Sequence, residues 1–276
     1  MSSTGDLEKA AAAVGEAEAL LIGAGAGMGV DSGLPDFRGD EGFWKAYPPF
    51  AERGLSFVDL ASPQWFEADP ALAWGFYGHR LGLYRSTEPH DGFELLARWS
   101  TRMAHGSFVF TSNVDGQFQR AGFPPDRVVE CHGSIHHLQC SVPCSEAIWE
   151  NGDSVSVDER AFRADPPLPA CPDCGGVARP NILMFGDGGW LPHRTHRQLR
   201  ALESWVSSLQ GRPVAVIELG AGRSVPTVRF KCEATASLLD ATLIRINPRE
   251  PEGPTGTLSF AEGALAVLRR LDTLLG

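Results

Sequence analysis

A glycine-rich run near the start of the chain is the first segment whose residue types suggest chemistry. Four glycines lie within positions 25–33, shortly after the apolar stretch 19–22, and 35–38 add an acid, an aromatic ring and a guanidinium. Glycines let backbone N–H groups approach a diphosphate, and a helix beginning there directs its positive end at the same charge. We expect a loop that closes over a bound nucleotide. Its candidate contacts are Gly25, Ala26, Asp36, Phe37 and Arg38.

The spacing of these glycines argues against one large class of nucleotide-binding enzymes. In the G-x-G-x-x-G fingerprint of dehydrogenases a third glycine would stand where this chain has Val30. An acidic residue at a convincing ribose-binding distance is also missing. The sequence therefore disfavours hydride transfer. Taken alone, the run is either a phosphate-binding loop or a tight turn.

Polar residues follow three further predicted strands. Ligands of open α/β sheets lie at the carboxyl ends of strands, so we expect these residues to share one crevice with the glycine loop. They are Asn113, Asp115, His132, Gly220 and Gly222. Histidine titrates near neutral pH, which makes His132 a candidate general base. The alternative is a buried structural histidine.

Four cysteines form two close pairs of the kind that bind zinc. They are Cys140, Cys144, Cys171 and Cys174, in C-x3-C and C-x2-C spacing. Zinc takes four thiolates tetrahedrally, and a site without an open position is structural. The alternative is two chance pairs of buried or redox-active thiols, which this spacing disfavours. We expect Cys131 and Cys232 to be buried thiols, and His136 and His137 not to be ligands.

The pattern of elements predicts an α/β fold. Strands are expected at 19–22, 108–110, 128–131, 182–185, 213–219 and 242–246, and helices at 6–18, 93–102, 193–209 and 261–275. Their alternation predicts a Rossmann-like parallel sheet with helices on both faces, built from 1–38, 90–135 and 180–276. A helical, aromatic-rich segment is expected at 39–89, with short helices broken at Pro48, Pro63 and Pro70. The smaller zinc-binding module is inserted at 136–179.

Composition restricts the partners. The net charge of −10 over 276 residues argues against nucleic acid or an anionic membrane as a partner. No apolar stretch approaches a membrane span, and the Ala-rich, acidic start does not resemble a secretory signal. Six cysteines in such a chain favour metal or thiol roles in a reducing compartment. We expect a cytoplasmic protein, while its oligomeric state is not indicated.

The ordered set of motifs resembles the sirtuin family, the NAD-dependent protein lysine deacylases. The matching segments run from Gly25 to Asn247 and cover most of the chain. They are 25–27, 33–38, 111–115, 132–133, the four cysteines, 179–181, 185–187 and 244–247. The resemblance implies NAD as co-substrate, one structural zinc per chain and an acyl-lysine protein or peptide as substrate. Free lysine, nicotinamide and an O-acyl-ADP-ribose are the implied products.

The resemblance also implies residue roles. His132 acts as general base on a ribose hydroxyl, and Asn113 and Asp115 form the catalytic nicotinamide pocket. The peptide lies along an edge at Phe185 and Gly186. The implied NAD contacts are Gly25, Ala26, Asp36, Phe37, Arg38, Ser112, Asn113, Gly220, Gly222 and Asn247.

One further pair bears on the acyl group. Tyr77 and Arg80 resemble the Tyr-x-x-Arg pair of sirtuins that prefer succinyl, malonyl or glutaryl lysine. A guanidinium can bind a carboxylate with two N–H groups while a phenol donates a third hydrogen bond. The alternative is a packing tyrosine and a surface arginine in an aromatic-rich helix.

Several residues depart from the family pattern. Ser112 stands where Gln is usual, Gly29 where Ser is usual, and Asn181 where His is common, while 220–222 lack two usual hydroxyls. These changes affect the expected NAD contacts and leave the base and the nicotinamide pocket in place. An ADP-ribosyltransferase or NAD glycohydrolase would use the same residues. A catalytically weak NAD-binding interaction module is a third hypothesis.

Overall fold

A parallel six-stranded sheet forms the centre of the fold. The structure, a computed structural model, describes residues 4–35, 47–48, 52, 54–158 and 160–276. The strands of this sheet are β1 (Ala19–Ala24), β2 (Ser107–Thr111), β3 (Val128–Glu130), β9 (Val214–Leu219), β10 (Thr242–Ile246) and β11 (Leu258–Phe260). Their order is β11-β10-β9-β1-β2-β3, and every neighbouring pair is parallel.

The central strands end together, and this places the predicted site. β1, β2 and β9 are buried along their whole length, as expected for strands covered on both faces. Ala24, at the end of β1, pairs with Thr111 of β2 and Leu219 of β9. The loops that begin at Gly25, Ser112 and Gly220 therefore leave the sheet at the same edge.

Helices cover both faces of the sheet, which confirms the predicted fold class. The helices of the described chain are α1 (Thr4–Gly15), α2 (Phe57–Leu60), α3 (Trp65–Ala68), α4 (Pro70–Ser86), α5 (Asp91–Thr101), α6 (Gln117–Arg120), α7 (His193–Ser207), α8 (Thr227–Leu239) and α9 (Ala264–Leu275). α1, α5 and α9 share one apolar core with the sheet, and α7 and α8 share the core on the opposite face.

A second layer combines the helical segment with the cysteine-bearing module. β5 (Ile148–Glu150), β4 (Gly133–Cys140) and β8 (Ala178–Ile182) form an antiparallel three-stranded sheet, and β6 (Val157–Asp158) pairs with β7 (Arg163–Ala164). A third apolar core joins α4 to this layer. The Trp74 indole on α4 donates a hydrogen bond to the Ala178 carbonyl of β8, 2.8 Å away.

One strand prediction is wrong. The strand expected at 182–185 is instead β8 (Ala178–Ile182), because the chain turns after Ile182 and Asp187 accepts a hydrogen bond from the Met184 N–H at 3.2 Å. The helix break expected at Pro70 is confirmed, because α3 ends at Ala68 and Pro70 begins α4, although α4 has 17 residues and is not the short helix expected. Proline suits the first helical position, where an N–H would have no acceptor.

The remaining predicted elements lie within a few residues of the observed ones. The elements that were not predicted are α6, α8, β4, β5, β6, β7 and β11. The division of the chain into three parts stays a prediction. Within the described residues, no helix is both long and apolar enough to cross a membrane.

Candidate functional site

Two glycine-containing loops pack directly against each other at the carboxyl edge of the sheet. The Gly25 N–H donates to the Leu219 carbonyl at 2.9 Å, and the Gly27 N–H donates to the Gly220 carbonyl at 3.1 Å. A Cβ atom on Gly25 would lie 2.7 Å from Cα of Ala221, and one on Gly220 would lie 2.4 Å from Cα of Gly27. No side chain fits at either position, so glycine is required for this approach.

The glycine run forms two short 3₁₀ helices, Ala26–Met28 and Val30–Ser32, rather than one long helix. The N–H groups of Gly25, Gly27 and Met28 already donate to backbone carbonyl groups, so phosphate binding by this run stays a prediction. Asp36, Phe37 and Arg38 lie outside the described residues, so their predicted role as a lid stays a prediction.

The Asn247 side chain is hydrogen-bonded to the loop that begins at Gly220. Its side chain is fully buried, and its Nδ2 donates to the Ala221 carbonyl at 2.8 Å. Its Oδ1 accepts from the N–H groups of Arg249 and Glu250, at 3.0 and 3.1 Å. The structure thus gives Asn247 a positioning role, and its direct contact with a nucleotide stays a prediction.

Asn113 connects the end of β2 to the glycine loop. The Thr111 hydroxyl donates to the Ala24 carbonyl and accepts from the Asn113 N–H, both at 3.0 Å. The Asn113 amide then donates to the Gly25 carbonyl at 3.1 Å. The predicted residues Gly25, Asn113 and Gly220 are therefore brought together.

Asp115 is a buried carboxyl group in the same loop. Burial, aided by the negative charge of Glu130, raises its pKa to about 6, although the Gln117 N–H donates to its Oδ1 at 2.9 Å. A carboxyl group with this pKa can change protonation state near neutral pH. Perturbed groups of this kind concentrate at functional sites.

His132 lies directly after β3 beside this loop. Burial lowers the pKa of its ring, and a hydrogen bond to the Ser112 backbone partly opposes that shift. The ring is therefore neutral at physiological pH, which is the state a general base needs. The Ser112 N–H donates to the Ala24 carbonyl at 3.1 Å, so His132 is tied to the carboxyl edge of the sheet.

The segment that contains Phe185 and Gly186 extends away from His132. The Leu183 N–H donates to the His132 carbonyl, and the Phe185 N–H donates to the Ala61 carbonyl, both at 2.9 Å. Leu183 and Phe185 are 40% and 44% exposed, respectively. Asp187 ends the segment in a buried ion pair with Arg179. The segment is an exposed, partly apolar edge fixed at both ends.

Tyr77 and Arg80 lie on α4 inside an aromatic box near this edge. The Arg80 guanidinium donates to the Tyr84 hydroxyl from Nη2 at 2.9 Å and from Nε at 3.1 Å. Its Cζ lies 5.2–5.7 Å from the centroids of four rings, those of Phe57, Phe76, Tyr77 and Tyr84. The surface arginine that was the alternative prediction is thereby wrong, since Arg80 is 6% exposed.

The Tyr77 hydroxyl is buried and has no hydrogen-bond partner among the described residues. Burial raises its pKa to about 12, so the hydroxyl stays protonated. Phe57 connects this box to the exposed edge, because its ring meets that of Phe185 with centroids 6.3 Å apart. The predicted acyl-pocket pair and the predicted substrate edge are thus neighbours.

The four predicted metal ligands converge. The sulfur atoms of Cys140, Cys144, Cys171 and Cys174 all lie within 4.8 Å of one another. Two sulfur pairs are 3.7 and 3.6 Å apart. Zinc bound at about 2.3 Å to each sulfur requires sulfurs about 3.8 Å apart, so the cluster fits the predicted structural zinc. Of the two other thiols, Cys232 is buried as predicted and Cys131 is half-buried, and burial raises the pKa of both.

One residue that positions the glycine loop was not predicted. His90 Nε2 lies 3.0 Å from the Met28 carbonyl, and the His90 N–H donates to the Ser32 hydroxyl at 3.0 Å. Its Nδ1 accepts from the Gly92 N–H and so caps α5. The sequence contained one signal for this role, namely a polar residue directly before the first turn of a helix.

Comparisons with known proteins agree with this geometry. A model described as the Sir2 family matches residues 25–206. The chain belongs to the Sir2 family. The predicted resemblance to the sirtuins is therefore confirmed.

Two relatives and one solved structure span nearly the whole chain of this Sir2 family member. The NAD-dependent protein deacylase of Aeropyrum pernix is 32% identical over 255 residues, covering 91% of this chain and 90% of the relative. The protein of the same name from Mycobacterium tuberculosis is 31% identical over 266 residues, covering 93% and 99%. The crystal structure of a Sir2 homologue–NAD complex superposes with a TM-score of 0.72 at 26% identity, covering 97% and 93%.

Proposed function

We propose that this protein removes acyl groups from lysine side chains with NAD as co-substrate, releasing nicotinamide and an O-acyl-ADP-ribose. The observation that carries the proposal is the convergence of neutral His132 and Asn113 beside the exposed edge at Phe185. The two relatives described above are named NAD-dependent protein deacylases, and the Sir2 homologue was solved with NAD.

The residues of the carboxyl edge divide the work. Bound NAD would supply the glycosidic bond, which breaks with loss of nicotinamide as the acyl oxygen attacks. Asn113 and Asp115 would hold the nicotinamide, and His132 would take a proton from a ribose hydroxyl so that this oxygen attacks the acyl carbon; one water is consumed as the bond to the lysine nitrogen breaks and the free lysine leaves. The diphosphate and riboses would be held by Gly25, Ala26, Ser112, Gly220, Gly222 and Asn247, and the predicted lid residues Asp36, Phe37 and Arg38 lie outside the described residues.

The edge at Phe185 and Gly186 receives the substrate peptide. The Leu183, Met184 and Phe185 N–H groups already donate within the fold, so an extended peptide would donate its own N–H groups to carbonyl groups of this segment. Because Leu183 is bonded to the His132 carbonyl, a lysine beside this segment points its acyl group toward the base.

We further propose that acidic acyl groups such as succinyl or malonyl are preferred. A carboxylate beside Arg80 would receive a hydrogen bond from the Tyr77 hydroxyl, which has no partner among the described residues. The rings that surround the guanidinium exclude water from this pair. Hydrogen bonds to charged groups contribute about 1.5–3 kcal/mol, or roughly 10- to 150-fold in kcat/KM.

The first experiment incubates the protein and NAD with acetyl-, succinyl- and long-chain acyl-lysine peptides. Nicotinamide and O-acyl-ADP-ribose should appear together and only when an acyl peptide is present. Nicotinamide released at the same rate without an acyl peptide would refute deacylation and indicate an NAD glycohydrolase. Transfer of ADP-ribose to protein would indicate the transferase instead. His132→Ala should stop product formation without loss of the fold.

A second experiment tests the acyl preference with a matched pair of variants. Arg80→Met should lower kcat/KM for the succinyl peptide at least about tenfold more than for the acetyl peptide. Arg80→Lys, which keeps the charge without the planar fork, should give an intermediate loss. Equal losses on both peptides would contradict the preference, whereas the deacylase proposal would stand.

The remaining sequence expectations are also part of this proposal. A cytoplasmic location is supported by the thiol-rich composition. The acidic net charge supports a protein or peptide partner rather than nucleic acid or a membrane. The proposed Rossmann-like NAD-binding domain comprises 1–38, 90–135 and 180–276. The helical segment is 39–89, and the zinc-binding module is 136–179.

A further inference from the structure

Glu130, at the end of β3, lies two residues before the proposed base His132. β3 is the last strand of the six-stranded sheet, and within the described residues β2 is its one neighbour there. Backbone N–H and carbonyl groups along such a strand point alternately to its neighbour and away from the sheet. The Cys131 N–H donates to the Thr111 carbonyl of β2 at 2.9 Å. The backbone of Glu130, one residue earlier, therefore points away from the sheet.

Helix α7 takes the place of the missing strand at Glu130. The Gln198 side chain accepts from the Glu130 N–H at 3.1 Å, and the Thr195 hydroxyl donates to the Glu130 carbonyl at 3.0 Å. Arg194 Nη2 donates to Glu130 Oε2 at 2.5 Å. Three side chains of one helix thus hold both the backbone and the carboxylate of this residue, which is 1% exposed.

The turn 130–132 is also held from the side of the predicted substrate edge. The His132 carbonyl accepts from the Leu183 N–H at 2.9 Å, and the His132 ring is hydrogen-bonded to the Ser112 backbone. Leu183 begins the exposed segment described above, and α7 follows that segment in the chain. The stretch 183–195 therefore contacts the turn that bears the base at both of its ends.

Stability alone does not account for this arrangement. The desolvation of a buried ion pair offsets much of its Coulombic attraction, so the pair of Glu130 and Arg194 is weak evidence for a stabilising role. α7 already packs on the sheet through apolar side chains farther along the helix, namely Leu202, Trp205 and Val206. The polar contacts are concentrated instead in its first two turns, beside the end of β3.

We propose that Thr195 is a positioning residue, which holds Glu130 and so fixes the His132 ring against the ribose hydroxyl. Arg194 and Gln198 assist by fixing the same residue. This role rests on the proposed deacylation. A general base must lie within hydrogen-bond reach of the proton that it takes, and a displacement of about 1 Å can cost about 100-fold in rate.

The test compares two steps of the reaction in Thr195→Val, which keeps the side-chain shape and removes the hydroxyl. Exchange of labelled nicotinamide into NAD reports the first step, before His132 acts, and O-acyl-ADP-ribose formation reports the step that needs the base. The ratio of the second rate to the first should fall at least about fivefold. Thr195→Ser keeps the hydroxyl and should keep the ratio within about twofold of the wild type. Gln198→Leu should lower the ratio as Thr195→Val does.

The control for a general loss of stability is Ser100→Ala. The Ser100 hydroxyl donates to that of Ser107 at 2.7 Å, and so joins α5 to β2 at the opposite edge of the sheet. This variant should lower Tm and leave the ratio unchanged. A ratio that is unchanged in Thr195→Val, or that falls equally in Thr195→Val and Ser100→Ala, would overturn the inference.

A second measurement does not depend on the reaction. The NMR signal of the His132 ring, assigned with His132→Ala, should shift in Thr195→Val and stay in place in Ser100→Ala. The two possible failures are thereby distinguishable. A wild type that forms no O-acyl-ADP-ribose would refute the proposed function and with it the catalytic use of this contact. An unshifted His132 signal in Thr195→Val would refute the positioning itself.

Discussion

Replacement of Asp115 by Asn should stabilise the protein while it removes the proposed activity. The carboxyl group has a pKa of about 6 in the folded chain and an ordinary value of 3.8 in the unfolded chain, chiefly because it is buried. The difference is roughly two pKa units, or about 3 kcal/mol. At neutral pH, ionisation of the buried Asp115 therefore lowers the free energy of unfolding by at most this amount.

The pH dependence follows from the direction of the shift. A carboxyl group whose pKa is raised by folding makes its full contribution to the free energy of unfolding below pH 3.8, where it is protonated in both states. That stability is lost as pH rises through about 6. Asp115→Asn keeps an oxygen for the Gln117 N–H and carries no charge. The variant should therefore match the wild type near pH 4 and exceed it by up to about 3 kcal/mol above pH 7.

The assay is urea denaturation of both proteins between pH 4 and pH 8, with nicotinamide release measured in parallel. Asp126→Asn, which removes the same charge from an exposed position, should produce no comparable gain. A difference between Asp115→Asn and wild type that stays constant with pH would refute the reasoning. So would a variant less stable than the wild type at pH 7.5.

Three further changes test the parts that position the site. His90→Leu should raise the KM for NAD more than it lowers kcat. It should also destabilise the fold by about 2–3 kcal/mol, since the Met28 carbonyl and the α5 cap lose their partner. His90→Asn should restore the cap alone, and an unchanged KM for NAD in both variants would contradict the positioning role of His90. Gly220→Ala should weaken NAD binding and lower Tm, because its Cβ would meet the Gly27 backbone at 2.4 Å. The control is Gly256→Ala, at a glycine with positive φ but open space around it, which should affect Tm only mildly. Equal effects of the two substitutions on Tm would argue against close packing of the loops. Cys171→Ser should lose the zinc measured by metal analysis and lower Tm, whereas Cys131→Ser should retain one zinc per chain; zinc retained in both would exclude Cys171 as a ligand.

The sequence could predict those parts of the fold that depend on local pattern. The strands β1, β9 and β10 were predicted from continuous apolar runs. Both faces of a parallel sheet are covered, so consecutive residues of such a strand are all buried. One failure occurred where a side-chain contact outside the local apolar pattern decides the structure. The strand expected at 182–185 ends early because Asp187 is held by Arg179, and this pairing has no local signature.

The candidate site divides in the same way. The sequence by itself determined which groups are present: the glycines, the base His132, the four thiols and the pair Tyr77 and Arg80. Spacing along the chain sets these, because motif chemistry requires given residue types at given intervals.

Only the tertiary structure decided the state of those groups. Whether Arg80 is a surface cation or a buried one, and whether Asp115 titrates near pH 4 or pH 6, depends on the water removed by segments far away in sequence. The same holds for the approach of Gly25 to Ala221. Desolvation and packing act through space, so a linear pattern of residues does not encode them locally.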